Sequence, residues 1–129
     1  MNSNNSIEIH AQISIGELID KITILKIKQV KMKGDQLENV NKELKSLETI
    51  IKDYQIDVDK DLFDKLKKIN YSLWEIEDSI RLKEKKQEFD KDFIELARSV
   101  YIQNDKRSLI KKNINRRYNS NITEEKSYA

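Results

Sequence analysis

The polar residues with chemical potential gather in one stretch, 69 to 107. On a predicted third helix, Asn70, Glu77 and Arg81 fall along one flank of an apolar stripe, with Asp78 beside Glu77 and Trp74 just beyond. On the next predicted helix come Arg98, Tyr101, Asn104, Asp105 and Arg107. Laid antiparallel, the two flanks bring carboxylates of one helix to guanidinium groups of the other. Buried charge is costly unless paired. The pattern therefore predicts either an interhelical salt-bridge network with Trp74 and Tyr101 over it, or a small polar pocket for an anion or an amine. At ~100° per residue, the inner face of the last helix runs through Asn104, Arg107, Lys111, Ile114 and Tyr118. Arg107 on that face needs a carboxylate. Glu77 or Asp78 is the first candidate, and Glu17 or Asp20 of the first predicted helix is the alternative.

The same acids admit a catalytic alternative. Glu75 and Asp78 match the ExxD half of the magnesium-binding pattern of helical nucleotide pyrophosphatases. Magnesium takes one or two carboxylates plus phosphate oxygens. On this reading Glu77 and Asp78 hold the ion, and Arg98 or Arg107 holds the phosphate of a phosphorylated or nucleotide substrate. The upstream ExxE half is missing, because Glu43 and Glu48 are five apart. Outside this alternative no cofactor is expected. The chain has no cysteine, which excludes disulfides, thiolate metal sites and a cysteine nucleophile. His10 is the sole histidine, too little for a zinc site, and Ser79 and Ser99 have no histidine to complete a triad. Residues 106 to 118 carry Lys106, Arg107, Lys111, Lys112, Arg116 and Arg117 without an acid. Such a helix can bind a phosphate backbone, but Tyr118 alone is available for stacking, so nucleic acid ranks last.

The elements that must position these residues are helical. Charged and apolar residues each make up 37%, proline is absent, and Gly16 and Gly34 are the only glycines. That composition fits long, solvent-laced helices and lacks the punctuation of a many-turned β fold. Ser14-x-x-Glu17 has capping-box spacing and opens a helix over 14–33, with Gly34 as its stop. Its apolar stripe is broad, so this helix is expected to be buried on more than one side. Asp35 is the expected cap of a helix over 36–54, whose Leu37, Val40, Leu44, Leu47, Ile51 and Tyr54 form a heptad seam. An aspartate-rich loop ends in Asp59 or Asp61, and Leu62, Leu66, Ile69, Leu73, Ile76 and Ile80 repeat the seam over 60–86. Asp90 caps a helix over 91–118. Residues 1–13 read as an extended arm because Ile7, Ile9, Ala11 and Ile13 alternate with polar residues, and 119–129 read as a tail able to pair with that arm as a strand.

The reading is therefore a single all-α domain over 1–129, an antiparallel bundle of about four helices built as two helical hairpins. The two heptad seams exceed what a small monomer requires and raise the expectation of a homodimer, or of a protein partner. No apolar run reaches the roughly 18 residues of a membrane span, and the N-terminus lacks a secretory pattern, so a cytoplasmic location is expected. A formal net charge of +2 selects no class of partner.

Four words of the chain resemble an uncharacterised family of small bacterial helical proteins that carries a domain-of-unknown-function label. They are ISIGELIDKITILKIK (13–28), LWEIEDSIR (73–81), ELARSVYIQNDKR (95–107) and EEKSYA (124–129). The resemblance implies an all-helical fold, assigns no activity, and directs attention to the polar positions of those words. In the first these are Glu17, Asp20, Lys21, Thr23 and Lys28. In the second and third they are Trp74, Glu77, Asp78, Arg81, Arg98, Asn104, Asp105 and Arg107. At the end, Glu124, Glu125, Lys126 and Tyr128 are either a frayed tail or a strap folded back over the site.

Overall fold

The computed structural model describes residues 6–127, and it is helical where the periodicity predicts. Helix α1 spans Ile15–Lys31, α2 Gly34–Asp53, α3 Lys60–Lys86 and α4 Lys91–Arg117. Three of the four starts are capped as their side chains dictate. Ser14 Oγ accepts the Glu17 N–H at 3.0 Å, Asp59 Oδ1 the Leu62 N–H at 2.9 Å, and Asp90 Oδ1 the Phe93 N–H at 3.0 Å. Each satisfies one of the amides that a helix start leaves without an intrahelical partner.

The α1–α2 junction differs from expectation. Gly34 does not close α1; an extended Met32 does, its N–H returning to the Lys28 carbonyl at 2.8 Å. Gly34 instead opens α2 at φ +61°, a conformation open to glycine without steric cost. Lys33 occupies the cap position without a side-chain bond, and Asp35 sits within the first turn, favourable to the helix dipole. Among the described residues there is no strand, so arm and tail do not pair. Ile7 and Ile9 project into solvent.

The antiparallel hairpins form as expected, and α1 lies against all three other helices while α3 pairs with α4. One face of α1, Leu18, Ile22 and Leu25, meets Val40 and Leu44 of α2. Another, Ile19, meets Leu66 of α3 and Ile114 of α4. Its apolar breadth is thus used on two sides. The α2 seam is used on α1, up to Ile51, leaving Tyr54 exposed. That removes the α2 seam as a reason to expect a dimer. Tyr118, at the end of α4, ties down the loop before α3: its hydroxyl donates to the Asp57 carbonyl at 2.6 Å and accepts the Asp59 N–H at 2.7 Å. With 27 residues each, α3 and α4 are roughly 40 Å long and outrun the 17 residues of α1, roughly 25 Å. None of the four helices is long and apolar enough to cross a membrane, among the described residues.

Candidate functional site

The central polar residue is Asp20, in the middle of α1, with its side chain 1% exposed. It faces the groove between α3 and α4. Arg107 embraces it side-on: Nε donates to Oδ1 at 3.1 Å and Nη2 donates to Oδ2. From α3, Asn70 Nδ2 donates to Asp20 Oδ1 and to Thr23 Oγ1, each at 2.8 Å, and the Thr23 hydroxyl donates to the Asp20 carbonyl at 2.7 Å. Lys111 Nζ lies 3.7 Å from Asp20 and 2.6 Å from Glu17. A buried carboxylate is tolerated only when donors of this kind replace water. The side-chain bond to Asp20 raises the Arg107 guanidinium above its ordinary pKa.

Antiparallel register explains the constellation. As α1 advances through Gly16, Glu17 and Asp20, the partners on α4 run back one turn at a time through Asn115, Lys111 and Arg107. The backbones come close at Gly16, whose N–H donates to Asn115 Oδ1 at 2.7 Å. A Cβ there would sit 2.7 Å from the Lys111 carbonyl oxygen and 2.8 Å from Asn115 Oδ1, so the residue must be glycine. The tail reaches the same place. Glu124 Oε1 accepts the Ser14 hydroxyl at 2.8 Å, Glu125 lies 3.7 Å from Lys112, and Lys126 lies 3.8 Å from Asp105. The chain thus folds back over this end of α4, as the strap reading requires; Tyr128 falls outside the described residues.

Between tail and helix is a pocket of about 420 Å³, lined by Asn104, Arg107, Ser108, Lys111, Lys112, Asn115, Glu124, Glu125 and Lys126. Asp20 stands behind its wall. Arg107 uses Nε and Nη2 on Asp20, and its Nη1 has no partner among the described residues.

Of the positions singled out by sequence, Asp20, Asn70 and Arg107 meet directly, Asn104 lines the pocket and Asp105 stands at its rim through Lys126. The others do not join them. Glu77 and Asp78 are exposed, and the ion-pair partner of Glu77 is Arg81, 3.8 Å away on its own helix. Arg98 and Tyr101 are exposed on α4, Trp74 is half-buried farther along α3, and Lys21 is half-buried on α1. The first-choice partners of Arg107, Glu77 and Asp78, are therefore corrected to Asp20. The reason is that α1 fills the groove at the level of Arg107. Among the described residues the expected α3–α4 salt-bridge network beneath Trp74 and Tyr101 is not formed. The convergence of Glu77, Asp78 and Arg107 that the magnesium reading requires is likewise missing, and no group of three acids or histidines among the described residues can hold a metal ion. The basic run is divided: Arg107 and Lys111 turn inward, Lys112 faces Glu125, and Arg117 holds Asp59 at 3.2 Å.

Sequence reasoning misses Ser108 and Asn115, which look like ordinary polar helix residues, and places Lys111 on the inner face without giving it a partner. The available signal was the i, i+4 spacing of Arg107, Lys111 and Asn115 on a face that also carries Ile114.

No curated protein and no solved structure matches the chain. Residues 9–129 match the profile described as a family of unknown function, DUF6165. That match spans the central helix, the buried Asp20 cluster and the tail folded over it, and the chain belongs to this family.

Proposed function

We propose that the chain is a non-catalytic helical binding module that takes a small anion into the pocket beneath its C-terminal tail. The observation that carries this reading is the pocket wall: Arg107, Lys111, Lys112 and Lys126 line it together with the neutral Asn104, Ser108 and Asn115. The acids on that wall, Glu124 and Glu125, belong to the tail itself. Arg107 is held from behind by a bidentate carboxylate, so its unused Nη1 is offered in a fixed orientation, at little further loss of side-chain entropy. Such a guanidinium suits a carboxylate or phosphate oxygen. Among the described residues the pocket holds no nucleophile paired with a base; Ser108 is the only hydroxyl among them that lines it, and His10 lies in the arm beside Glu8. Binding therefore fits the arrangement better than catalysis.

The test is thermal melting of the full chain with inorganic phosphate, sulfate, citrate and a nucleoside triphosphate, each against sodium chloride at matched ionic strength. A ligand at ~100 times its Kd adds about 2.7 kcal/mol of stability. One of these anions is expected to raise Tm by several degrees, with Lys112→Gln weakening the effect and Glu125→Gln strengthening it. Equal melting in all salts, or indifference to both substitutions, overturns the reading.

A further inference from the structure

The outer face of α4 carries exposed apolar side chains. Ile94, Tyr101, Ile102 and Leu109 on it are 56%, 55%, 40% and 59% exposed. Arg98 is exposed between them and makes no ion pair with another described residue. Asp105 is exposed too, with its own Lys126 at 3.8 Å. At ~100° per residue these six positions fall within an arc of ~100° on one side of the helix, clear of the core face through Arg107 and Ile114. The tail runs along the neighbouring flank and leaves Ile102 and Leu109 uncovered.

The order of the six residues is the informative feature. Read outward from the midpoint between Tyr101 and Ile102, the face is self-complementary: Tyr101 answers Ile102, Arg98 answers Asp105, and Ile94 answers Leu109. A two-fold axis through that midpoint lays one α4 antiparallel on another. Each Arg98 then meets the partner's Asp105, and apolar residues meet apolar residues both at the centre and at the two ends. A closed two-fold interface needs this property, the same patch serving both sides. A carboxylate accepts more than one cation, so Asp105 can hold Lys126 and the partner's arginine together. The stripe extends over roughly 22 Å of helix, the length of a modest helix–helix contact.

We propose that this face of α4 is a homodimer interface, occupied by the same face of a second copy. It adjoins the anion pocket, sharing the Asp105–Lys126 pair with its rim, but occupies the next flank of the helix. The charges set register and exclude parallel pairing, and Ile94, Tyr101, Ile102 and Leu109 supply the apolar burial.

Sedimentation of the full chain across a micromolar to submillimolar range tests the assignment. A concentration-dependent shift from 15.3 kDa to twice that mass is expected. Arg98→Glu places like charges opposite each other at two symmetric points and is expected to weaken the dimer by about tenfold or more. Asp105→Arg alone does the same, and the double exchange Arg98→Glu with Asp105→Arg restores association. These residues are exposed, so the variants fold, which melting verifies. Because the chain has no cysteine, Ile102→Cys also gives a clean cross-linking probe. A short bis-maleimide is expected to join two copies at position 102 and not at Val30→Cys, on exposed α1 surface. A chain that stays monomeric throughout overturns the proposal. So does a dimer that tolerates Arg98→Glu, a failure of the double exchange to restore it, or equal cross-linking at both positions.

Discussion

Replacing Arg107 by methionine leaves the most buried charge of the protein short of its main partner. Asp20 is 1% exposed at its side chain, while Arg107 is 28% exposed. Stripping one member of a buried ion pair costs roughly 3–5 kcal/mol. Lys111 at 3.7 Å and Asn70 at 2.8 Å remain beside Asp20, which places Arg107→Met at the low end, about 3 kcal/mol. Asp20→Asn is milder, about 2 kcal/mol, because a partly exposed guanidinium can turn to water once its charge-assisted bonds are gone. Independent effects would sum to about 5 kcal/mol. In the double variant no uncompensated carboxylate is left, so a loss of about 3 kcal/mol is expected and the coupling is about 2 kcal/mol. For a domain of this size Arg107→Met lowers Tm by roughly 10 °C. Chemical denaturation of the four proteins gives the cycle, and the anion-induced shift in Tm is then read on the same four. If Arg107 also holds the ligand, the double variant recovers part of its stability and none of the shift. A coupling below about 0.5 kcal/mol would refute the argument, since it would mean that the pair does not hold α1 against α4.

Gly16→Ala is expected to destabilise by about 1–3 kcal/mol in thermal melts, because its Cβ meets the Lys111 carbonyl at 2.7 Å and backbone cannot move aside. Tyr118→Phe removes both bonds to the loop before α3 and leaves the Asp59 N–H without its acceptor. A loss of about 1–2 kcal/mol is expected, with faster hydrogen exchange confined to the loop. The Lys83 ammonium, followed by the Phe93 N–H, holds the Asp90 carboxyl below its ordinary value. A depressed folded-state pKa stabilises above the unfolded value, about 4, and that contribution disappears as pH falls through the folded value. The Tm difference between the native chain and Asp90→Asn should therefore be largest near neutrality and shrink in acid; a difference constant with pH would contradict the assignment.

Much of the architecture was written in local pattern. Helix periods, the caps Ser14, Asp59 and Asp90, and the inward phase of Arg107, Lys111, Ile114 and Tyr118 follow from spacing and side-chain chemistry, because these interactions span three or four residues. Even the need of Arg107 for a carboxylate was legible, since a guanidinium on an inward face is costly without a partner. Which carboxylate answers it was not. Glu77, Asp78, Glu17 and Asp20 satisfy the same chemical requirement, and only the wedging of α1 between α3 and α4 selects Asp20, 87 residues away in the chain. The same applies to the tail. Its polar EEKS has no periodicity to read, and it is placed only because Ser14, Lys112 and Asp105 happen to surround it in three dimensions. Seams that pack an intramolecular neighbour and seams that pack a second copy look alike in sequence. Tertiary structure directs the α2 seam onto α1 and leaves one face of α4 to the solvent.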